Sequence, residues 1–198
     1  MTEEREPQKR VMVPAAEGLA QAAAEASRKG PPPVHLWNPP FCGDIDMEIR
    51  RDGSWFYLGT PIGRPALVKL FASILKREGE AYFLVTPVEK VGIRVLDAPF
   101  IAVDCTVEGA GEGQSLRFLT NVGDEVTAGP EHPIRFSFDA TGQPSPYVMV
   151  RAGLEARIDR KTFYRLVDIA SPRLHDGAEW LGLFSQGAFF PIAPVAGL

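Results

Sequence analysis

The chain has 198 residues, of which 45% are hydrophobic and 23% charged, and its 25 acidic residues outnumber its 21 basic ones. This is the composition of an ordinary globular protein, and the length allows one large domain or two small ones. Because nucleic-acid-binding domains usually carry a basic stripe, the net charge of −4 disfavours nucleic acids and anionic membranes as partners. A small anionic ligand stays compatible with this charge, since two or three well-placed cations suffice to neutralise it.

Residues 1–43 form an N-terminal arm that does not follow the pattern of a packed domain. Residues 1–15 are charged, which predicts disorder. Residues 16–29 are rich in alanine and favour a short helix. The segment "GPPPVHLWNPPFCG", residues 30–43, is expected to be extended because of its prolines.

Nothing in the sequence indicates export or membrane insertion. A signal peptide needs basic residues followed by an apolar core, whereas here acidic residues come first and Pro14, Glu17 and Gln21 interrupt the apolar runs. No apolar run is long enough to span a membrane. Cys42 and Cys105 lie in no CxxC or metal-like spacing, which predicts two reduced thiols. A cytoplasmic location is therefore expected.

Residues 44–96 show the pattern of a small α+β domain. The run "IDMEIRRDGSWFYLG" alternates apolar and polar residues around Asp52 and Gly53, and Asp-Gly between alternating runs is a strong hairpin signal. In "RPALVKLFASILKREG" the apolar residues fall at helical spacing. Pro65 suits the first helical turn and Gly79 suits the position just past the helix end. Two strands are then expected in "AYFLVTP" and "VGIRVL".

Residues 97–198 predict a second, larger domain. Short strands separated by turn residues fill residues 97–146. The run "PYVMVRAGLEARI" then predicts a hairpin that turns at Ala152 and Gly153. Asp159 is a good N-cap for the amphipathic segment that follows it. Two further strands are expected in "EWLGLF" and "AFFPIA".

The two domains share one order of elements: a hairpin, a helix and two strands. A shift of 96 residues places Leu67 on Phe163 and Arg64 on Arg160. The identity between the segments is low, so the shared pattern indicates either a duplication or a chance agreement. In both cases the predicted fold class is α+β, with two small domains that each carry a hairpin-rich sheet and one helix.

Long runs of this sequence resemble a bacterial domain-of-unknown-function family, the one numbered 1285. The resemblance rests on five runs in the same order, which span residues 42–190: "CGDIDMEIRRDGSWFYLGTPIGRPALVKLF", "YFLVTPVEKVGIRVLDAPF", "LRFLTNVGDEVTAGPEHPI", "PYVMVRAGLEARIDRKTFYRLV" and "WLGLFSQGAFF". The Ala-rich N-terminal segment lies outside it.

The resemblance implies a repeated structural motif in two domains. It also implies that the C-terminal domain is similar to a pleckstrin-homology domain, with a bent sheet capped by one helix. It suggests a small-ligand site at the domain interface, a nucleotide-like ligand and a role in signal transduction. No catalytic residue is implied, and likeness to a lipid-binding fold does not transfer function.

The stretch "TNVGDEVTAGPEHPIRF", residues 120–136, concentrates polar residues among turn formers. Asn121, Asp124, Glu125 and His132 could line a site or decorate the solvated tip of a hairpin. Asp124 is expected to bond to nearby backbone amides in the turn through Gly123. The same polar groups are candidates for orienting a ligand by hydrogen bonds.

Three cations are the candidates for neutralising an anionic ligand. Lys90 lies in a loop of the first domain, and Arg151 and Arg157 lie on the hairpin of the second. Arg151 is expected to pair with Leu154 across the turn, at the end of an apolar strand face. A guanidinium there needs either an internal carboxylate, Asp124 or Glu125, or a ligand anion.

Motifs for catalysis, metals and phosphate loops are not found. The sequence contains no nucleophile elbow among its Ser and Gly residues and only three histidines. The pairs "EH" and "HD" are adjacent residues, which point to opposite faces of a strand. The Gly-rich "GAGEGQ" contains Glu112 and directly follows Glu108, and it lies between two predicted strands, where no helix dipole is available. No cofactor is expected.

These observations predict a non-enzymatic cytoplasmic binding or sensor module for a small anionic, nucleotide-like ligand. The alternative is a protein–protein adaptor whose sheet edges or exposed aromatic residues dock a signalling partner. A weaker alternative is a hydrolase that uses His132 with Asp124 or Glu125 as general acid and base.

Overall fold

The computed structural model describes residues 16–197, and the expectation for residues 1–15 concerns a part of the chain outside the described residues. The chain divides into two compact units. The first comprises the described residues up to Glu48 together with Phe56–Arg94, and the second comprises Ile49–Trp55 together with the chain from Val95 onwards. The hairpin turn after the first strand therefore belongs to the second unit.

Helices make up a small part of the described chain. The α-helices are α1 (Ala16–Ala26), α2 (Pro65–Ser73) and α3 (Arg160–Val167). Short 3-10 turns occur at Ser27–Lys29, Val34–Leu36, Gly111–Gly113 and Val195–Gly197. The helix expected in the Ala-rich segment is thus confirmed as α1, and its Leu19 and Ala23 are fully buried.

A six-stranded sheet forms the body of the first unit. Its strands are β1 (Phe41–Ile49), β2 (Trp55–Tyr57), β3 (Thr60–Pro61), β4 (Leu75–Glu78), β5 (Ala81–Val85) and β6 (Lys90–Val95). They lie in the order β3-β2-β1-β6-β5-β4. The alternation expected in β1 is confirmed, because Ile45, Met47 and Ile49 are buried while their neighbours are more exposed.

The helices α2 and α3 are shorter than expected, and each is followed by an additional strand. The helical spacing predicted one helix as far as Gly79, but α2 ends at Ser73 and β4 begins at Leu75. Leu75 pairs with Leu84 of β5, and both side chains are buried. Gly79, with a φ of 60°, turns this hairpin and does not cap a helix. Short apolar runs fit helix and strand equally well, so the pairing partner decides.

The second unit contains two sheets. The first has the order β10-β11-β12-β7-β8-β9, and the second has the order β13-β14-β15. Their strands are β7 (Phe100–Glu108), β8 (Ser115–Thr120), β9 (Glu125–Thr127), β10 (Ile134–Phe138), β11 (Pro144–Arg151), β12 (Leu154–Ile158), β13 (Ser171–His175), β14 (Ala178–Ser185) and β15 (Ala188–Pro194). Only two strands were expected after α3, in "EWLGLF" and "AFFPIA", so β13 is the additional one and this helix too is followed by three strands instead of two.

Irregular pairing curls the six-stranded sheet of the second unit. β12 pairs with β7 in parallel, whereas the pairs β11–β12 and β7–β8 are antiparallel. The register shifts between Met149 and Arg151 and between Ala102 and Asp104, and such bulges bend a strand. Helix α3 contacts β7 and β14 and buries Phe163 and Leu166. The result is the mixed α+β architecture that was predicted, with a bent sheet and one helix.

Two-residue turns with left-handed backbone join several antiparallel strands. At Ala152 and Gly153 the φ angles are 44° and 78°, and Arg151 pairs with Leu154, which confirms the predicted turn and its first pair. Beyond that pair the bulge shifts the register, so that Met149 lies opposite Glu155. Positive φ at both central residues matches the right-handed twist of the strands. The same pattern occurs at Leu58-Gly59, Asp176-Gly177 and Gln186-Gly187.

The order of elements recurs in the two units, while their sheets differ. A hairpin, a helix and a three-stranded meander follow one another in β1–β2, α2 and β4–β6, and again in β11–β12, α3 and β13–β15. The short β3 between β2 and α2 has no counterpart between β12 and α3. In the first unit the meander joins the hairpin through β6 and β1, whereas β13–β15 form a sheet of their own.

Candidate functional site

Asn121 joins two turns of the second unit. Its Oδ1 accepts a hydrogen bond from the N–H of Ile101 at 3.0 Å, and its Nδ2 donates to the carbonyl of Gly53 at 3.3 Å. Gly53 has a φ of 79°, and a Cβ there would lie 2.7 Å from Ile101 Cγ1. Asn121 therefore holds the 49–55 hairpin turn against β7, and only glycine fits at the contact.

Arg151 and Asp124 form an ion pair through Nη1 and Oδ2, with 35% and 37% of their side chains exposed. The guanidinium carbon of Arg151 also lies 4.8 Å from the ring centroid of Phe100. Of the alternatives left open for Arg151, Asp124 is thus its internal partner in this structure, and a contact with a ligand stays a prediction. Glu125 is exposed on β9, opposite Leu119.

His132 is held by the backbone beside it. Its Nδ1 lies 3.1 Å from the carbonyl oxygen of Met149, so Nδ1 carries the proton and donates it. Its amide and carbonyl exchange hydrogen bonds with Gly129 at 3.1 Å. The carboxylates of Asp124 and Glu125 therefore do not orient this imidazole through Nδ1, as a general acid–base pair would require.

Lys90 belongs to the first unit, unlike the other six predicted ligand residues. Its Nζ lies 3.0 Å from Glu78 Oε2 and 4.8 Å from the ring centroid of Phe83. Lys76 contacts the other oxygen of Glu78 at 3.0 Å. Hydrogen bonds from Lys90 and Lys76 lower the pKa of the Glu78 carboxyl, so this carboxyl is ionised at neutral pH.

Arg157 is anchored by a polar network of the second unit. Its Nη1 lies 3.2 Å from Asp97 Oδ2, while Asp97 Oδ1 accepts the Tyr147 hydroxyl at 2.8 Å. Burial, followed by the bond to Asp97, raises the pKa of Tyr147, which keeps the phenol protonated as a donor. The guanidinium of Arg135 covers the Tyr147 ring at 4.1 Å. These contacts fix the position of the Arg157 side chain.

Arg157 also lines a cleft of about 570 Å³ in the second unit. The wall consists of the first turn of α3, the end of β12, the turn before β11 and the tip of the 49–55 hairpin turn. None of the other six predicted ligand residues lines it.

The acidic side chains of this cleft already accept hydrogen bonds. Asp52 accepts from the N–H and hydroxyl of Ser54, at 2.9 and 2.5 Å. Asp159 caps α3 by accepting the Thr162 N–H at 2.7 Å. Asp139 closes the turn before β11, and bonds from the Thr141 hydroxyl and nearby amides lower the pKa of its carboxyl. A bond from the Ser54 hydroxyl likewise lowers the pKa of Asp52.

Two of the three arginines that line the cleft differ from its acidic side chains in this respect. Arg51 and Arg160 are exposed at the cleft. Within residues 16–197 neither makes an ion pair or a side-chain hydrogen bond. Beside them lie Phe163 and Tyr164, whose rings stack at 6.5 Å with an interplanar angle of 27°. The cleft therefore offers two available guanidiniums next to an aromatic surface.

Sequence reasoning found one of these three arginines, Arg157. Arg160 was noted only because a shift of 96 residues places Arg64 on it. Arg51 stands in the turn of the predicted Asp-Gly hairpin, where a charged residue usually has no function beyond solubility. One feature of the sequence could have indicated Arg160 as a cleft residue: it directly follows a capping aspartate, at the beginning of a helix.

The comparisons with known proteins decide the family. Residues 32–98 match the N-terminal domain of unknown function DUF1285, and residues 99–192 match the C-terminal domain described as a protein of unknown function, DUF1285. The chain belongs to the DUF1285 family. No curated protein matches the sequence.

Two solved DUF1285 structures are similar to this chain. A DUF1285 family protein from Silicibacter pomeroyi DSS-3, solved at 2.50 Å, is 62% identical, with 91% of this chain and 97% of that chain covered and a TM-score of 0.82. A DUF1285 family protein from Shewanella baltica OS155, solved at 1.40 Å, is 34% identical, with coverages of 62% and 90% and a TM-score of 0.49.

The described part of this DUF1285 chain contains no helix that is long and apolar enough to cross a membrane. Among the same residues, no three His, Cys, Asp or Glu side chains cluster as they would around a metal ion. Both cysteines are unbridged, with Cys105 buried and Cys42 half-buried, and their reduced state stays a prediction.

Proposed function

We propose that this DUF1285 protein is a non-enzymatic binding or sensor module of cytoplasmic signal transduction, which holds a small anionic, nucleotide-like ligand in the cleft beside α3. One observation carries the proposal. Arg51 and Arg160 face the cleft without an ion-pair partner among the described residues, while the three carboxylates of the cleft already accept hydrogen bonds.

The size of the cleft fits a ligand of this class. Small-molecule sites commonly enclose about 300–1,000 Å³, and the cleft measures about 570 Å³. A single inorganic anion would leave most of that volume empty. The space therefore favours an anion that carries a larger organic group.

The charge of the available groups favours phosphate or a similar anion. A guanidinium presents a planar pair of donors that binds phosphate and carboxylate oxygens bidentately. Arg157 adds a third guanidinium, which Asp97 holds in place. Because Asp159 already occupies the Thr162 amide at the start of α3, the arginines supply the main attraction for the anion.

The aromatic surface accounts for the nucleotide-like part of the proposal. Tyr164 exposes 59% of its surface, and Phe163 lies stacked behind it. A planar base can stack on such a ring with about 1–3 kcal/mol per base. A compound with a phosphate for Arg51 and Arg160 and a base for Tyr164 uses both properties of the cleft.

The experiment is a thermal-unfolding screen of the full chain against mono- and dinucleotides. A ligand at about 100 times its dissociation constant adds roughly 2.7 kcal/mol of stability, which raises the midpoint by roughly 5–10 °C in a protein of this size. Arg160→Gln and Arg51→Gln should each reduce that rise by half or more.

Arg117→Gln is the matched control, because Arg117 is an exposed arginine of the same unit that pairs with Glu108 and does not line the cleft. It should keep the full rise. A flat response of the unmodified protein across the panel would refute the proposal. An equal loss in Arg117→Gln and Arg160→Gln would show that only bulk charge matters.

A protein–protein adaptor is the second candidate function. β10 is an edge strand of the six-stranded sheet of the second unit, and it ends in Phe138, which is 51% exposed. An edge with an exposed aromatic residue can accept a strand of a partner. This candidate becomes the leading one if the nucleotide screen is flat.

A further inference from the structure

The first unit has a cleft of its own, of about 440 Å³. It lies beside α1, α2 and the segment that joins β2 to α2. Apolar side chains form much of its wall, including Leu67 and Phe71 of α2 and Ile62 before it. Phe71 is fully buried and Leu67 is half-buried, so the cleft opens onto the core of this unit. Two charged side chains, Glu17 and Arg64, also line it.

Arg64, which carries the positive charge of this cleft, has no acidic side chain paired with it among the described residues. Arg64 occupies the N-cap position of α2, makes no capping bond and is exposed. It has no ion pair within the described chain from residue 16 to 197. α2 has no acidic residue in its first turn, so nothing in that turn offsets the positive end of its dipole.

The negative charge of the cleft is offset from within its own helix. Glu17 lies in the first turn of α1, where the positive end of that helix dipole stabilises a carboxylate. The cleft therefore presents Arg64 to an anion above an apolar surface, with Glu17 as the opposing charge of its wall.

Positions related by the shift of 96 residues line a cleft in both units. Arg64 and Leu67 correspond to Arg160 and Phe163 by the shift of 96 residues. The first pair lines the cleft of the first unit, and the second pair lines the cleft of the second. The two clefts differ in chemistry, because Asp159 caps α3 while no side chain caps α2.

We propose that the first unit binds a small organic monoanion, a carboxylate or sulfonate on an aromatic or branched apolar body. Arg64 binds the acidic group, and Ile62, Leu67 and Phe71 contact the apolar body. This site is separate from the cleft beside α3, and neither proposal depends on the other.

The test uses 8-anilinonaphthalene-1-sulfonate, a fluorescent aromatic sulfonate, titrated into the full folded chain at low ionic strength. We expect saturable binding with a blue-shifted emission. Arg64→Gln should weaken the affinity by roughly tenfold, the usual cost of losing one hydrogen bond to a charged group. Glu17→Gln should strengthen the affinity by about twofold, since it removes a nearby repelling charge.

Lys69→Gln is the matched control, because Lys69 is an exposed cation of the same helix that does not line the cleft. It should bind the probe as the unmodified protein does. Unfolding midpoints of all variants, measured in parallel, establish that each is folded at the titration temperature.

Four results would overturn the proposal. The first is the absence of saturable binding to the unmodified protein. The second is an equal loss in Lys69→Gln and Arg64→Gln. The third is weaker binding in Glu17→Gln, which would mean that the site prefers a cation. The fourth is a loss in Arg160→Gln but not in Arg64→Gln, which would place the probe in the cleft beside α3 and leave the function proposed there standing.

Discussion

Removal of the Arg151 side chain separates a structural role of this residue from a role in binding. In the structure its guanidinium contacts the Asp124 carboxylate and covers the Phe100 ring at 4.8 Å. Phe100 is fully buried, so the arginine shields one side of a core ring. Arg151→Ala removes the ion pair and this cover together, whereas Asp124→Asn removes only the ion pair.

The magnitude follows from the exposure of the pair. Both side chains are more than a third exposed, so screening keeps the ion pair within about 0.2–1 kcal/mol. The cation–π contact adds about 0.5–1 kcal/mol. Arg151→Ala should therefore cost about 1–2 kcal/mol, and Asp124→Asn about half as much. A fully buried pair would cost about 3–5 kcal/mol on removal of one partner.

The assay is urea unfolding of the four proteins of a double-mutant cycle, which isolates the coupling between Arg151 and Asp124. We expect a coupling of about 0.5 kcal/mol that falls at high salt. A coupling of zero would refute the interpretation that Arg151 stabilises the fold through Asp124, and it would favour a ligand as the partner of Arg151. A loss above about 3 kcal/mol in Arg151→Ala would show that the pair is effectively buried.

Three further predictions follow from local geometry. Gly53→Ala should destabilise the protein by about 2–4 kcal/mol in urea unfolding, because its Cβ would lie 2.7 Å from Ile101 Cγ1 at a φ of 79°; a neutral result would show that Asn121 moves away freely. Burial raises the pKa of the Cys105 thiol to about 12, so at pH 8 a thiol reagent should modify only Cys42 in the folded protein and both cysteines in denaturant; rapid modification of Cys105 would contradict its burial. The pKa of Glu78 is lowered from 4.5 by Lys90 and Lys76, so its contribution is present above pH 4.5 and is lost as the pH falls through the lowered value; Glu78→Gln should flatten the stability profile in that window, and an unchanged slope would contradict the pairing.

Several elements could be predicted because their determinants are local. Ala152 and Gly153 turn the β11–β12 hairpin as expected, and Arg151 pairs with Leu154 across them, because a turn of two left-handed residues fixes the first pair of the strands that it joins. Asp159 caps α3 through the amide three residues later, a contact that needs no other part of the fold. The boundary after α2 could not be predicted, because Ile74 and Leu75 suit a helix as well as a strand and only Leu84 decides between them.

The sequence by itself determined the fold class and the family. It also determined the hairpin turns that contain a left-handed glycine, and it showed that several cations have no obvious partner nearby in the chain. Tertiary structure alone decided which cations are paired. Arg157 meets Asp97, which is 60 residues away, and Lys90 of β6 meets Glu78 of β4, two strands that β5 separates. It also brought Arg51 to the same cleft as Arg160. Charge pairing over such separations depends on which strands become neighbours, and local periodicity carries no information about that choice.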